Sequence, residues 1–81
     1  MSVTVRYFAA AAEAAGREEE QVELPGEADL AALKTVLVDR YGELMGRVVQ
    51  SGSFLMDGVV RTDETYPVGE RVDILPPFAG G

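Results

Sequence analysis

The sequence contains neither cysteine nor histidine among its 81 residues. Disulfides, thiolate or imidazole metal ligands and cysteine nucleophiles are therefore excluded, as is the side chain that most often acts as a general base. Its apolar runs are too short to cross a bilayer, and its first residues lack the basic start and apolar stretch of a secretory signal. We therefore expect a cytoplasmic protein without a membrane span or a metal site.

Basic residues are also scarce, since 7 stand against 14 acidic ones and leave a net charge of −7. Such a charge repels nucleic acid and anionic lipid, so we expect neither as a partner. The length suits one compact domain with a modest core, and the apolar fraction of 47% is ordinary for a globular protein. A basic or apolar protein surface is the expected partner.

Alternating apolar and polar residues predict strands near both ends of the chain. The first covers residues 2–8, a second follows through REEEQVEL, and RVDIL forms the last. Between them, Asp57-Gly58 separates two apolar pieces in FLMDGVV, which is a strong hairpin signal. The positions predicted to face inward are Val3, Val5, Val22, Leu24, Val72 and Ile74.

One long stretch follows a helical period instead. Asp29 suits the N-terminal cap of this helix and Gly42 its end, and a shorter alanine-rich run closes on Gly16. The segment through QSGS is interpreted as a loop. This order predicts an α+β, β-grasp fold over residues 1–75, with a mixed four- to five-stranded sheet packed on one main helix. The helical stripe consists of Leu30, Leu33, Leu37, Tyr41 and Leu44.

The chain ends on ILPPFAGG, which predicts a projecting tail over residues 76–81. Two prolines lack the N–H that a strand ladder needs, so the sheet should stop before them. A glycine carboxylate is a poor electrophile, but conversion to an acyl-adenylate would open its unscreened carbonyl to a nucleophile. A frayed end is the alternative, and it explains the prolines and the aromatic residue less well. The tail consists of Pro76, Pro77, Phe78, Ala79, Gly80 and Gly81.

These features resemble the ubiquitin-like sulfur carriers of the β-grasp fold and, among them, the small subunits of molybdopterin synthase. The similarity runs from VTVRYFA through VGERVDILPP to LPPFAGG, and Pro-Pro-x-x-Gly-Gly is its most specific part. It implies that an ATP-dependent activating enzyme adenylates Gly81, which then becomes a thiocarboxylate. It further implies that the tail inserts into the large subunit of a heterotetrameric synthase and gives sulfur to a cyclic pyranopterin precursor of the molybdenum cofactor. Such a carrier is non-catalytic and holds no cofactor.

Three apolar residues are candidates for a docking surface beside this tail. Phe8 is two residues from Arg6, and Leu75 is two residues from Asp73, so each apolar residue lies on the same strand face as its charged neighbour. We expect this face to be exposed to solvent. Val60 matches a third apolar contact position of the resembled family. Single exposed apolar residues without a role are the alternative. The acidic run at residues 18–20 is interpreted as a solvated edge.

Other destinations for the activated tail stay open at this point. Sulfur could pass to thiamin thiazole, cysteine or tRNA, which keeps the carrier chemistry and changes the acceptor. A ubiquitin-like modifier would instead join Gly81 to a lysine through an isopeptide bond. A pure interaction module would not use its tail at all.

Overall fold

The computed structural model describes residues 1–76, which form a five-stranded sheet with helices against one face. The tail positions Pro77, Phe78, Ala79, Gly80 and Gly81 lie outside the described residues. The strands are β1 (Ser2–Tyr7), β2 (Glu19–Glu23), β3 (Ser53–Met56), β4 (Val59–Arg61) and β5 (Arg71–Leu75). The helices are α1 (Ala10–Ala15), α2 (Leu30–Tyr41) and α3 (Glu43–Ser51).

The sheet is mixed and has the order β2-β1-β5-β3-β4. Strands β1 and β5 pair in parallel, and the other neighbours pair antiparallel. The predicted hairpin is confirmed: Asp57 and Gly58 have φ values of 52° and 77°, the positive pair that a tight type I′ turn needs. This sheet confirms the predicted β-grasp fold, and β5 lies at its centre.

The core forms where the alternation and the helical period placed it. The six strand positions predicted to face inward are all buried, as are Leu30, Leu33 and Leu37 of α2. The Asp29 carboxylate accepts a hydrogen bond from the Ala32 N–H at 2.9 Å, so the predicted cap of α2 is present. Burial of one face of the sheet against one stripe of the helix is what holds the two layers together.

Helix α3 replaces the loop that was expected after the main helix. Its Met45, Val48 and Val49 are buried, whereas Leu44, assigned to the stripe of α2, is 57% exposed. Gly42, with φ of 89°, separates the two helices. The helical spacing of buried residues in α2 therefore does not continue into α3, whose axis has a different direction. The spacing of the three buried residues is itself helical, but the run is short and ends in polar residues.

Glu20 corrects the interpretation of residues 18–20 as a solvated edge, because its side chain is only 5% exposed. The carboxylate accepts hydrogen bonds from the hydroxyl of Tyr7 at 2.8 Å, from the hydroxyl of Tyr41 and from the guanidinium of Arg40. Burial by itself raises the pKa of Glu20, but the three donors outweigh it and hold that pKa below its usual value. Glu20 and Val22 are two residues apart on β2, so their side chains point to the same face of the sheet, which is the face of the core.

Replacing Glu20 by Gln should lower the free energy of unfolding at pH 7 by about 1 to 3 kcal/mol, because it weakens a buried hydrogen-bonded network. A carboxylate with a lowered folded pKa stabilises the fold above its unfolded pKa of about 4.3 and loses that contribution as pH falls through the folded value. The difference in the free energy of unfolding between the wild type and Glu20→Gln, measured by urea unfolding, should therefore become smaller below about pH 4. Glu23→Gln, at an exposed position of the same strand, is the control and should change little. A gap that does not vary with pH would contradict this account.

Gly52 closes α3 against the end of β5. A Cβ at this position would lie 2.1 Å from the carbonyl oxygen of Leu75 and 2.8 Å from that of Val48. Gly52→Ala should therefore lower the free energy of unfolding by about 1 to 3 kcal/mol, as overpacking does. Gly26→Ala is the matched control, since a Cβ there meets nothing within 4 Å. Equal stability of the two variants in urea unfolding would show that the backbones are not in contact.

Candidate functional site

The face of the sheet that the helices leave uncovered carries one row of side chains across all five strands. In the register, Arg6 lies between Glu19 on β2 and Asp73 on β5. Asp73 in turn lies opposite Leu55 on β3, and Leu55 lies opposite Val60 on β4. The row is thus charged toward β2 and apolar toward β4.

Arg6 and Asp73 form a two-pronged ion pair at the middle of this row. Arg6 Nε lies 2.8 Å from Asp73 Oδ1, and Arg6 Nη2 lies 2.7 Å from Asp73 Oδ2. Asp73 was expected at the solvent side, yet its side chain is only 8% exposed against 38% for Arg6. It does lie on the outer face, but the guanidinium covers it. The hydrogen bond and the charge of Asp73 raise the pKa of Arg6 above its usual value.

Apolar side chains continue the same face beyond the ion pair. The Phe8 N–H donates to the Ile74 carbonyl at 3.3 Å, so the parallel pairing extends to bring Phe8 beside Leu75. The Phe8 ring is 39% exposed, and its centroid lies 5.4 Å from the guanidinium carbon of Arg6. Val60 is 57% exposed. We call this surface the docking face and define it as Phe8, Leu55, Val60 and Leu75 around the Arg6–Asp73 pair.

The three candidate docking residues therefore lie on one face, although their role in binding stays a prediction. Phe8 and Val60 are exposed, and Leu75 is half-buried beside Pro76. Leu55 completes the surface and was not predicted. Its signal was present in the sequence, since Phe54 and Met56 on either side of it are buried and alternation puts Leu55 on the opposite face.

The terminal segment leaves the sheet from its central strand. β5 ends at Leu75 with β1 on one side and β3 on the other, and Pro76 is the last residue that the structure describes. The strand ends directly before Pro76, which has no N–H to continue the ladder, and the projecting tail over residues 76–81 stays a prediction. The docking face and the start of the tail are consequently continuous along β5.

Asp63 is one of several carboxylates in the described chain that are engaged in local structure. Asp63 accepts hydrogen bonds from the hydroxyl of Thr65 at 2.7 Å and from its N–H at 2.9 Å, and these bonds hold the pKa of Asp63 below its usual value. Within residues 1–76, no group of three or more acidic side chains is placed to hold a metal ion. No helix in this part of the chain is long and apolar enough to span a membrane.

The mixed sheet with its helices on one face is the ubiquitin-like β-grasp fold. The chain belongs to the ThiS family, whose model matches residues 5–81. Proteins of this family are carriers and not catalysts themselves. A comparison with curated proteins gives no match.

Solved structures with the same fold include proteins from three organisms. SAMP1 from Haloferax volcanii is 24% identical with a TM-score of 0.80, and the match covers 100% of both chains. A putative molybdopterin converting factor subunit 1 from Pyrococcus furiosus is also 24% identical with a TM-score of 0.80, over 96% of this chain and 99% of the other. A complex of subunits 1 and 2 of the molybdopterin-converting factor from Helicobacter pylori matches with 20% identity and a TM-score of 0.68, over 100% of both chains. At these identities the likeness establishes the fold.

Val60 and Val72 offer a matched test of whether the docking face supports the fold. Val60→Ser should change the free energy of unfolding by no more than about 0.5 kcal/mol, because the side chain is mostly in water already. Val72→Ser puts a hydroxyl into the core and should lower that free energy by at least about 2 kcal/mol. Urea unfolding of both variants measures the difference. A loss at Val60 as large as at Val72 would make Val60 a structural residue.

Proposed function

We propose that this protein carries sulfur as a thiocarboxylate on Gly81 and serves as the small subunit of a molybdopterin synthase. One observation carries the proposal: the outer face that bears exposed apolar side chains includes the central strand that leads into the terminal segment. Strand β5 contributes Asp73 and Leu75 to that face and then runs directly into Pro76. A partner that holds the docking face is thereby brought to the start of the tail.

The chemistry proposed for Gly81 has two steps. An ATP-dependent activating enzyme joins the carboxylate to AMP, and pyrophosphate leaves. Sulfide supplied by a donor then attacks the activated carbonyl, a C–S bond forms, and the bond from that carbon to the phosphate oxygen breaks. AMP leaves with the electron pair, the sulfur loses its proton to water, and a thiocarboxylate remains. The carrier supplies the acyl group, and its partners supply the catalysis and the nucleotide. No cofactor is proposed for the carrier itself.

The docking face indicates what kind of surface the partner presents. Its exposed aromatic and aliphatic side chains favour an apolar patch, the type of contact that dominates binding energy. The Arg6–Asp73 pair presents little net charge there, whereas the chain as a whole carries −7. We therefore propose an apolar contact surrounded by basic residues of the partner. The Helicobacter pylori complex of subunits 1 and 2 supports a large-subunit partner, and we propose a cytoplasmic heterotetramer.

The carrier step can be tested on the intact chain. Incubation with ATP, a cognate activating enzyme and a sulfur donor should raise the intact mass by the difference between sulfur and oxygen, located at Gly81. A chain that lacks Gly80 and Gly81 is the control and should gain nothing. An unchanged mass for the full chain under conditions that load another family member would overturn the carrier function.

The docking face can be tested with two variants of equal exposure. Val60→Asp should weaken binding of the pterin-binding large subunit by about tenfold or more, because it puts a charge into an apolar contact. Leu44→Asp changes a residue that is also 57% exposed but lies on α3, and it should leave the affinity unchanged. Isothermal titration calorimetry measures both. If both substitutions change the affinity equally, the docking face is not part of the interface with the large subunit.

The identity of the captured partner separates this proposal from its rivals. Binding of a thiazole or cysteine synthase instead of a pterin-binding subunit would redirect the sulfur. A ladder of heavier species with the chain joined to lysines would indicate a modifier. The fold does not discriminate here, since SAMP1 and the Pyrococcus furiosus subunit 1 match with the same TM-score of 0.80.

A further inference from the structure

Lys34 is the only lysine in the sequence, and its amine contacts Glu64 and lies near Phe54. Nζ donates a hydrogen bond to Glu64 Oε1 at 2.7 Å and lies 5.5 Å from the centroid of the Phe54 ring. The side chain is 16% exposed, a low value for a lysine on a helix at the surface of a small domain. The remaining basic side chains are all arginines, namely Arg6, Arg17, Arg40, Arg47, Arg61 and Arg71.

This distribution matters for a chain whose C-terminal carbonyl becomes activated. A guanidinium stays protonated under all ordinary conditions and is a poor acyl acceptor, whereas a lysine amine with a free lone pair is a good one. We propose that the packing of Lys34 protects this protein from acylation by its own activated C-terminus. The proposal rests on the proposed function for the origin of the activated carbonyl, but the packing of Lys34 can be tested without it.

The reaction to be avoided is a simple acyl transfer. The lone pair of Nζ attacks the Gly81 carbonyl of the acyl-adenylate, a C–N bond forms, and the bond from that carbon to the phosphate oxygen breaks. AMP takes the electron pair and leaves, and the nitrogen releases its proton to water. The product is an amide, either within one chain or between two. A carrier trapped in this form has no terminal carbonyl left to receive sulfur.

The position of Lys34 makes the reaction within one chain a realistic hazard. Phe54, whose ring lies beside the amine, is directly opposite Ile74 in the β3–β5 ladder, and Ile74 is two residues before Pro76. Five residues follow Pro76 in the sequence, and a fully extended chain of that length spans at most about 18 Å. An acyl group on the same chain as an amine reacts with it at a high effective concentration wherever the tether can span the distance between them.

Two contacts counter this proximity. The hydrogen bond holds Nζ against the Glu64 carboxylate, so Nζ must leave that contact before it can approach a carbonyl. The Phe54 ring lies on another side of the amine, and the side chain as a whole is only 16% exposed. Because the Glu64 side chain is 56% exposed, it can be changed without disturbing the core. An exposed ion pair of this type should contribute only about a two- to fivefold factor, with burial supplying the rest.

The first experiment measures the reactivity of Lys34 without any activating enzyme. The full chain is treated with N-hydroxysuccinimidyl acetate, folded and in urea, and acetylation at Lys34 is followed by peptide mass spectrometry. We expect it to be at least about tenfold slower in the folded chain. Glu64→Gln should raise the folded rate about two- to fivefold, and Glu70→Gln, an exposed carboxylate in the same loop, should not. Equal rates for the folded and unfolded chains would overturn the proposal.

The second experiment uses ATP and the activating enzyme without a sulfur donor. The wild-type chain should return to its original mass by hydrolysis, whereas Glu64→Gln should accumulate an amide at Lys34, and Lys34→Arg combined with Glu64→Gln should abolish it. An amide that forms as fast in the wild type as in Glu64→Gln counts against protection. If no variant becomes adenylated, the proposed function fails, and the acetylation rates alone decide whether Lys34 is protected.

Discussion

The parallel pairing of β1 with β5 is the contact on which the rest of the structure depends. It joins the first and last strands of the described chain, and the ion pair between Arg6 and Asp73 spans a separation of 67 residues. Parallel neighbours need a long crossover, so the intervening chain must cross the sheet, and it does so with α2 and α3 on one face. The pairing also puts β5 at the centre. The terminal segment therefore leaves from the middle of the sheet, beside the docking face, and not from an edge.

Two buried carboxylates fasten this arrangement from opposite sides of the sheet. Glu20 connects β2 to α2 through Arg40 and Tyr41, and Asp73 connects β5 to β1 through Arg6. Each meets an arginine because an unpaired buried charge would be costly. The apolar layers could in principle slide on one another, whereas each of these polar contacts is satisfied in only one register. The sheet and its main helix are thus fixed by a small number of directional bonds added to a larger apolar core.

A carrier of an activated acyl group must offer its end to partners and withhold it from itself. Exposed apolar side chains on the outer face serve the first need in our proposal, and the scarcity of amines serves the second. The single lysine lies against Phe54 and Glu64, near the strand that leads to the tail. Both features follow from the position of β5, because the same strand supplies Leu75 to one face and contacts Phe54 on the other. In this proposal, the selectivity of the carrier depends on how its surface is arranged around one strand.

The sequence by itself determined the strands, the hairpin, the capped main helix and the chemistry available at the glycine end. Those features depend on local rules: alternation, helical spacing, positive φ at a tight turn and the missing N–H of proline. Only the tertiary structure decided that Glu20 and Asp73 are buried, that Leu55 stands beside Val60, and that the chain after Gly42 forms a second helix. Alternation says which face a residue occupies but not what covers that face. The covering groups come from strands and helices far away in the sequence, and their register is set by packing that no local pattern records.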